Sequence, residues 1–145
     1  MSNTVTTYSF EDVICTLNHP SVGSKSTKGA GLGSITTSMA NDRTAHDVAA
    51  DGSVMITKKI SRNGTISIDM QQTSQLHKWL LKTYNYVDNA ATSEWARMTI
   101  TINSNELDES VTCTNVAFQK IPDKPYQAEG QHVTWILMAA KIVQE

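Results

Sequence analysis

The chain is short of cysteine, short of charge and without a long apolar run. Its two cysteines, Cys15 and Cys113, lie far apart among 145 residues, and neither has a Cys or His nearby at metal-ligand spacing. They read as small buried hydrophobes of a protein held in a reducing compartment. Charged residues make up 18%, below the roughly 25% usual in soluble domains. The formal net charge of −2 gives no sign of a tight nucleic-acid binder or a polybasic membrane module. No stretch approaches the length of a membrane span. The N-terminal residues are polar rather than basic-then-apolar, which argues against a standard signal peptide and against membrane insertion.

Serine, threonine and asparagine fill the place of the missing charges, a composition that suits a β-rich protein with uncharged polar surfaces. The length allows one domain with a real core, residues 1–145, and is too short for two of ordinary size. Residues 8–17 read as a first strand. Residues 18–34, with Pro20 and four glycines, read as a flexible loop. Residues 35–39 and 44–48 could pair around Asn41-Asp42. Val54, Ile56 and Ile60 precede Arg62-Asn63-Gly64, and Ile66, Ile68 and Met70 follow it. Asn-Gly between two alternating runs predicts a hairpin. One helix is legible: Thr73 or Ser74 can cap it, Leu76, Trp79, Leu80, Thr83 and Tyr84 share a face, and Asn85 is its expected end. Residues 98–102 and 111–118 read as strands. In the second of these the apolar phase shifts from Cys113 to Val116, which predicts a bulge near Asn115.

The most informative segment is the last. In residues 133–143, read as a strand, Val133, Trp135, Leu137, Ala139 and Val143 point one way, and Ile136, Met138, Ala140 and Ile142 the other. A strand at the skin of a small domain alternates with polar residues, because one face meets water. This one has a single charge, Lys141, so its second face needs a cover from the same chain or from another copy. Burying Ile136, Met138 and Ile142 gives on the order of 5–9 kcal/mol, against an association cost of about 4–15 kcal/mol. One such contact barely holds a dimer, whereas a ring of contacts can hold a polymer. The fold class read from these patterns is mainly β, an antiparallel sandwich or barrel with one packed helix.

Chemistry is hard to find. His19, His46, His77 and His132 are scattered, and His46 and Asp47 would point to opposite faces of a strand. His77 falls off the helix's apolar face and reads as solvated. The Lys28-Gly29-Ala30-Gly31-Leu32-Gly33-Ser34 run lacks both the ending and the strand-to-helix setting of a phosphate loop. Lys58, Lys59 and Arg62 form a small basic patch. Three tryptophans do not make the exposed platform of a monomeric ligand-binding β-domain, the reading from a different class. No catalytic, metal or cofactor site is expected.

In residues 117–126, Ala117-Phe118-Gln119-Lys120-Ile121-Pro122-Asp123-Lys124-Pro125-Tyr126, and on through Trp135, the chain resembles the tail-tube proteins of contractile-tailed bacteriophages. Tyr8-Ser9-Phe10-Glu11-Asp12-Val13, Ala50-Asp51-Gly52-Ser53, Asn63-Gly64-Thr65-Ile66 and Ser93-Glu94-Trp95 are similar too, in order along nearly the whole chain. The resemblance implies a β-sandwich with one helix, assembled as hexameric rings stacked into a hollow tube in a virion made in the bacterial cytoplasm. It implies contacts with the sheath, baseplate, tail terminator and tape-measure proteins, and DNA passing through the lumen unbound. Type VI secretion tube proteins and those of other contractile injection systems share this architecture and are the alternative within the class. A hairpin at about 35–60 would reach neighbours, with Arg43, His46, Val48 and Met55 as contacts beside Ile136, Met138 and Ile142. Ser67, Asp69, Thr99 and Thr101 would face the lumen, as walls that do not grip phosphate.

Overall fold

The alternating runs form strands and the period-3.6 run forms a helix, in a computed structural model that describes residues 5–28 and 32–145. In chain order these are β1 (Val13–His19), β2 (Gly23–Thr27), β3 (Leu32–Met39), β4 (Thr44–Val48), β5 (Val54–Lys58), β6 (Gly64–Gln71), α1 (Gln75–Asn89), β7 (Met98–Ser104), β8 (Glu109–Lys120) and β9 (His132–Gln144). Seven strands make one antiparallel sheet in the order β2-β1-β7-β8-β9-β6-β3, and β4 and β5 pair apart from it. The fold is mainly β with one helix, as the patterning predicts. The sheet curls, and α1 touches both β2 and β6 near its two edges, closing over the concave face.

That face holds the core. Leu17, Ile66, Ile68, Met70, Met98, Ile100, Trp135 and Leu137 are buried there, with Leu76, Leu80 and Val87 of the helix laid over them. Burial of this kind is worth about 1.5–3 kcal/mol for each large side chain. Ser74 caps α1, its Oγ accepting from the Leu76 N–H at 3.2 Å. The helix runs four residues beyond the expected Asn85, because Val87 completes the buried stripe one turn on.

Both cysteines face the core, and burial pushes the thiol of Cys15 up to about 12 and that of Cys113 to about 11. They are inert hydrophobes at neutral pH.

The bulge predicted near Asn115 is present. Met98 pairs with Val116 and Ile100 with Cys113, so Thr114 and Asn115 stand against Thr99 alone. Asn115 takes φ 52°, and its Nδ2 donates to the Ala96 carbonyl at 3.1 Å. A second bulge is invisible in the sequence. Gly64 pairs with Ala139, yet the Ile142 N–H donates to the Arg62 carbonyl at 2.8 Å. Ala140 and Lys141 therefore stand against Asn63. This extra residue turns Ile142 inward, where it is 4% exposed in the single chain. Ile142, expected on the uncovered second face, belongs instead to the core.

Other expectations are corrected too. Residues 64–70 do not pair with 54–60 across Asn63-Gly64, since β6 lies between β3 and β9 and β5 pairs with β4. Nor do 35–39 pair with 44–48. Gly64 is needed for close approach rather than for a turn: a Cβ there would run into the Ser38 carbonyl oxygen and the Ile142 Cδ1. Of the expected loop 18–34, Gly23–Thr27 is a strand paired to β1, and residues 29–31 lie outside the described residues. The first strand starts only at Val13, after a 3-10 turn, Phe10–Asp12, capped by Ser9.

His77 is not solvated. It is 8% exposed, and its Nδ1 accepts from the Trp135 indole N–H at 3.0 Å. A buried indole needs an acceptor, and α1 supplies one. Burial, with Lys124 nearby, holds the imidazole below its ordinary value.

Candidate assembly interface

The β3–β6 ladder continues outward beyond the sheet. The Ala40 N–H donates to the Asn63 carbonyl, Arg43 Nε to the Lys59 carbonyl, and β4 then pairs with β5 from Thr44 opposite Lys58 to Val48 opposite Val54. The result is one long hairpin whose turn lies at Ala49–Ser53, not at Asn63-Gly64. Gly52 takes φ 91° there, and the Ser53 N–H donates to Asp51 Oδ1 at 2.9 Å, which holds that carboxyl below the usual carboxylate range.

Cross-strand pairing sorts its side chains. Val48, Val54, His46, Ile56, Thr44 and Lys58 share one face, and Ala45, Thr57, Asp47 and Met55 the other. His46 and Asp47 do point apart. Val48 (65% exposed), Val54 (51%) and Ile56 (67%) form an apolar strip open to solvent, and Ile60 (84%) follows beyond the strand. Of the residues expected to touch a neighbour, His46 and Val48 lie on this face, Met55 lies on the opposite one, and Arg43 is tied back to Lys59 at the root. Val54 and Ile56 share this face with Val48, and their alternation, which predicts pairing with residues 64–70, belongs instead to the ladder with β4.

The convex face of the main sheet is of another kind. It carries Thr16, Asn18, Thr99, Thr101, Thr134, Thr65, Ser67 and Thr36, with Asp69 as an acid and Lys120 and Lys141, opposite Ile136 and Thr114, as cations. Asp69 accepts from Thr134 Oγ1 at 3.2 Å and lies 3.2 Å from His132 Nδ1. Ser67, Asp69, Thr99 and Thr101 all stand on this face, half-buried among their neighbours. So do Ile136 and Met138: Ile136 lies opposite Ser67, and Met138 opposite Thr65. Two sets expected on different surfaces share one.

Elsewhere, His19 is fully buried, its Nδ1 accepting from the Ser21 N–H and its Nε2 3.0 Å from the Glu94 carbonyl. The Ser21 hydroxyl, with Arg97 beside it, holds the Glu94 carboxyl below its ordinary range. This network closes the β1–β2 turn onto the segment after α1. Among the described residues, no group of three or more His, Cys, Asp or Glu could hold a metal ion.

A curled antiparallel sheet, one helix across it and a projecting hairpin define a tube-subunit fold of the contractile-tail type. The chain resembles a chain of the anti-feeding prophage tube-terminating cap (TM-score 0.62, 13% identity, covering 99% of this chain and 95% of that one). It also resembles one of the sheath–tube complex of the extracellular contractile injection system PVC in its extended state (0.60, 12%, 93% and 88%). A third is in the six-fold symmetrised anti-feeding prophage baseplate (0.63, 8%, 100% and 97%). At these identities the likeness is one of fold. No curated protein sequence matches. The family model of the bacteriophage PhiTE tail tube protein matches residues 5–145, and the chain belongs to that family.

Proposed function

We propose that this chain builds the inner tail tube of a contractile bacteriophage, as hexameric rings stacked into a conduit for genome delivery. Its role is structural rather than catalytic, and its place is the virion after assembly in the bacterial cytoplasm. The observation that carries this reading is the β4–β5 hairpin. A two-stranded hairpin is marginal alone, and this one leaves the side chains of its apolar strip half or more exposed to water. Covering Val48, Val54, Ile56 and Ile60 yields roughly 4–8 kcal/mol, marginal against the cost of a single association. A ring in which each copy both gives and receives a hairpin doubles the contacts per subunit.

The convex face suits the channel wall, since threonine and serine dominate it and leave Lys120 and Lys141 as scattered cations, which gives passing phosphates little to grip. Ile136 and Met138 then belong to that wall, and the hairpin takes over as the subunit contact. Substituting Met138→Asp tests this division: tubes still form if the face lines the lumen, and tubes that fail to form return Met138 to an interface. Sheath, baseplate, terminator and tape-measure proteins are the expected partners. The likeness to chains of sheath–tube, cap and baseplate structures supports the first three. The same likeness favours a second reading, the tube of another contractile injection system.

Light scattering and negative-stain microscopy of the purified protein test assembly directly. Rings or tubes are expected; a particle of monomer mass at every concentration overturns the reading.

A further inference from the structure

We infer where on a second copy the hairpin docks: on the end of the sheet formed by the β7–β8 turn and the finish of β9. This rests on the tube reading and adds the receiving surface to it. The β7–β8 turn, after Ser104, carries Glu106, Leu107, Asp108 and Glu109, and the last strand brings Glu145 alongside, the Ser110 and Glu145 backbones exchanging two hydrogen bonds of 2.8 Å. Asp108, Glu109 and Glu145 line a depression of about 310 Å³. Leu107 stands among these carboxylates, 48% exposed.

The hairpin is the complement of this surface. Its apolar strip ends in Lys58, followed by Lys59 and Arg62 at the root. Among the described residues, neither the three cations nor the four carboxylates form an ion pair within the chain. The hairpin's own acids stand elsewhere: Asp51 at the tip, Asp47 on the opposite face and Asp42 across the root. With no metal-holding group at hand, ammonium and guanidinium groups are the cations suited to the depression. One chain supplies both halves, which makes the occupant a second copy.

Position agrees with charge. The hairpin leaves the sheet where β9 ends, since the Arg62 carbonyl accepts from Ile142 two residues before Gln144. Cations and carboxylates therefore lie at the same end of the molecule. Copies related by rotation about an axis along the strands bring one hairpin level with the next copy's turn. The contact is isoleucine and valine on leucine, ringed by opposite charges that set register and approach rate.

The test is a charge swap. Lys58→Glu with Lys59→Glu loses tubes at concentrations where the unaltered protein forms them, and adding Glu106→Lys with Glu109→Lys restores them. Reversal that leaves assembly intact, or a swap that stays monomeric while its circular dichroism is native, overturns the docking site. A second measurement does not depend on rescue. Ile56→Cys protein mixed with Leu107→Cys protein and treated with a short bismaleimide gives a crosslinked dimer absent from either alone, Cys15 and Cys113 being buried. No crosslink in assembled tubes overturns the proposal. A crosslinked dimer from protein that never forms rings overturns the tube reading while keeping the contact.

Discussion

The β6–β9 ladder and the β4–β5 ladder are written in the same local code. β6 alternates apolar with polar residues, β5 does so except at Met55, and each ladder pairs antiparallel in regular register. Yet Ile66, Ile68 and Met70 are fully buried, while Val54 and Ile56 are half to two-thirds exposed. The difference lies in what stands opposite. β6 has strands on both sides and α1 above it; β5 has one partner and water. Alternation states that a face is to be covered, and leaves open whether the same chain or another copy covers it.

The largest effect is expected at the centre of the covered ladder. Trp135 packs edge-on against Phe118, with ring centroids 5.5 Å apart, and is fully buried. Trp135→Ala should cost about 3–5 kcal/mol, read as a drop in the urea midpoint. A cost below about 1 kcal/mol would place the core elsewhere. Gly64→Ala comes next. Its Cβ has no room beside the Ser38 carbonyl and Ile142, and overpacking of this kind costs about 1–3 kcal/mol. A neutral result would return Gly64 to the turn role its Asn-Gly context advertises.

That glycine marks where the sequence stops being legible. Most strand identities, though not β2, the single helix, the Asn115 bulge and the burial of both cysteines follow from local pattern, because period and turn chemistry are local. Pairing partners are not. Asn63-Gly64 is a strong hairpin signal, but β6 finds more buried area between β3 and β9 than against β5, and tertiary packing wins. The second bulge, which moves Ile142 from the exposed to the buried face, has no glycine or asparagine within it to announce it. His77 was misread because the need it meets, an acceptor for the Trp135 indole, arises on a strand 58 residues away. Of the assembly surface, the hairpin's existence came from family resemblance, whereas the facing of its side chains required the register.

His77 offers an intermediate effect with a pH signature. Removing it leaves a buried indole N–H unsatisfied, so His77→Ala should cost about 1–3 kcal/mol. Its folded value is depressed below the ordinary 6.5, so between the two values the unfolded chain binds more protons. Stability is therefore full above about pH 6.5 and is lost as pH falls through that value towards the folded one. Urea midpoints measured from pH 8 to 5 should decline for the unaltered protein and decline less for His77→Ala. Equal slopes would mean that His77 stays neutral, or charges freely, in both states.

The smallest expected effect on the folded chain is the most telling, because it sets one substitution against itself in the two ladders. Ile68→Ser places a hydroxyl in the core and should cost several kcal/mol, on the order of 2–5. Ile56→Ser removes a side chain that is 67% exposed and should leave the urea midpoint of the monomer within about 0.5 kcal/mol of the original. The order should invert when assembly is measured. Ile56→Ser keeps a native circular dichroism spectrum and loses tubes by negative stain, since its strand finds no apolar cover among the described residues and the proposed cover is another copy. If Ile56→Ser destabilised the monomer as Ile68→Ser does, the hairpin would fold back onto its own chain in solution, and the contrast between the ladders would vanish. If it altered neither stability nor assembly, the strip would be idle surface, and the tube would have to be held by the convex face of the sheet.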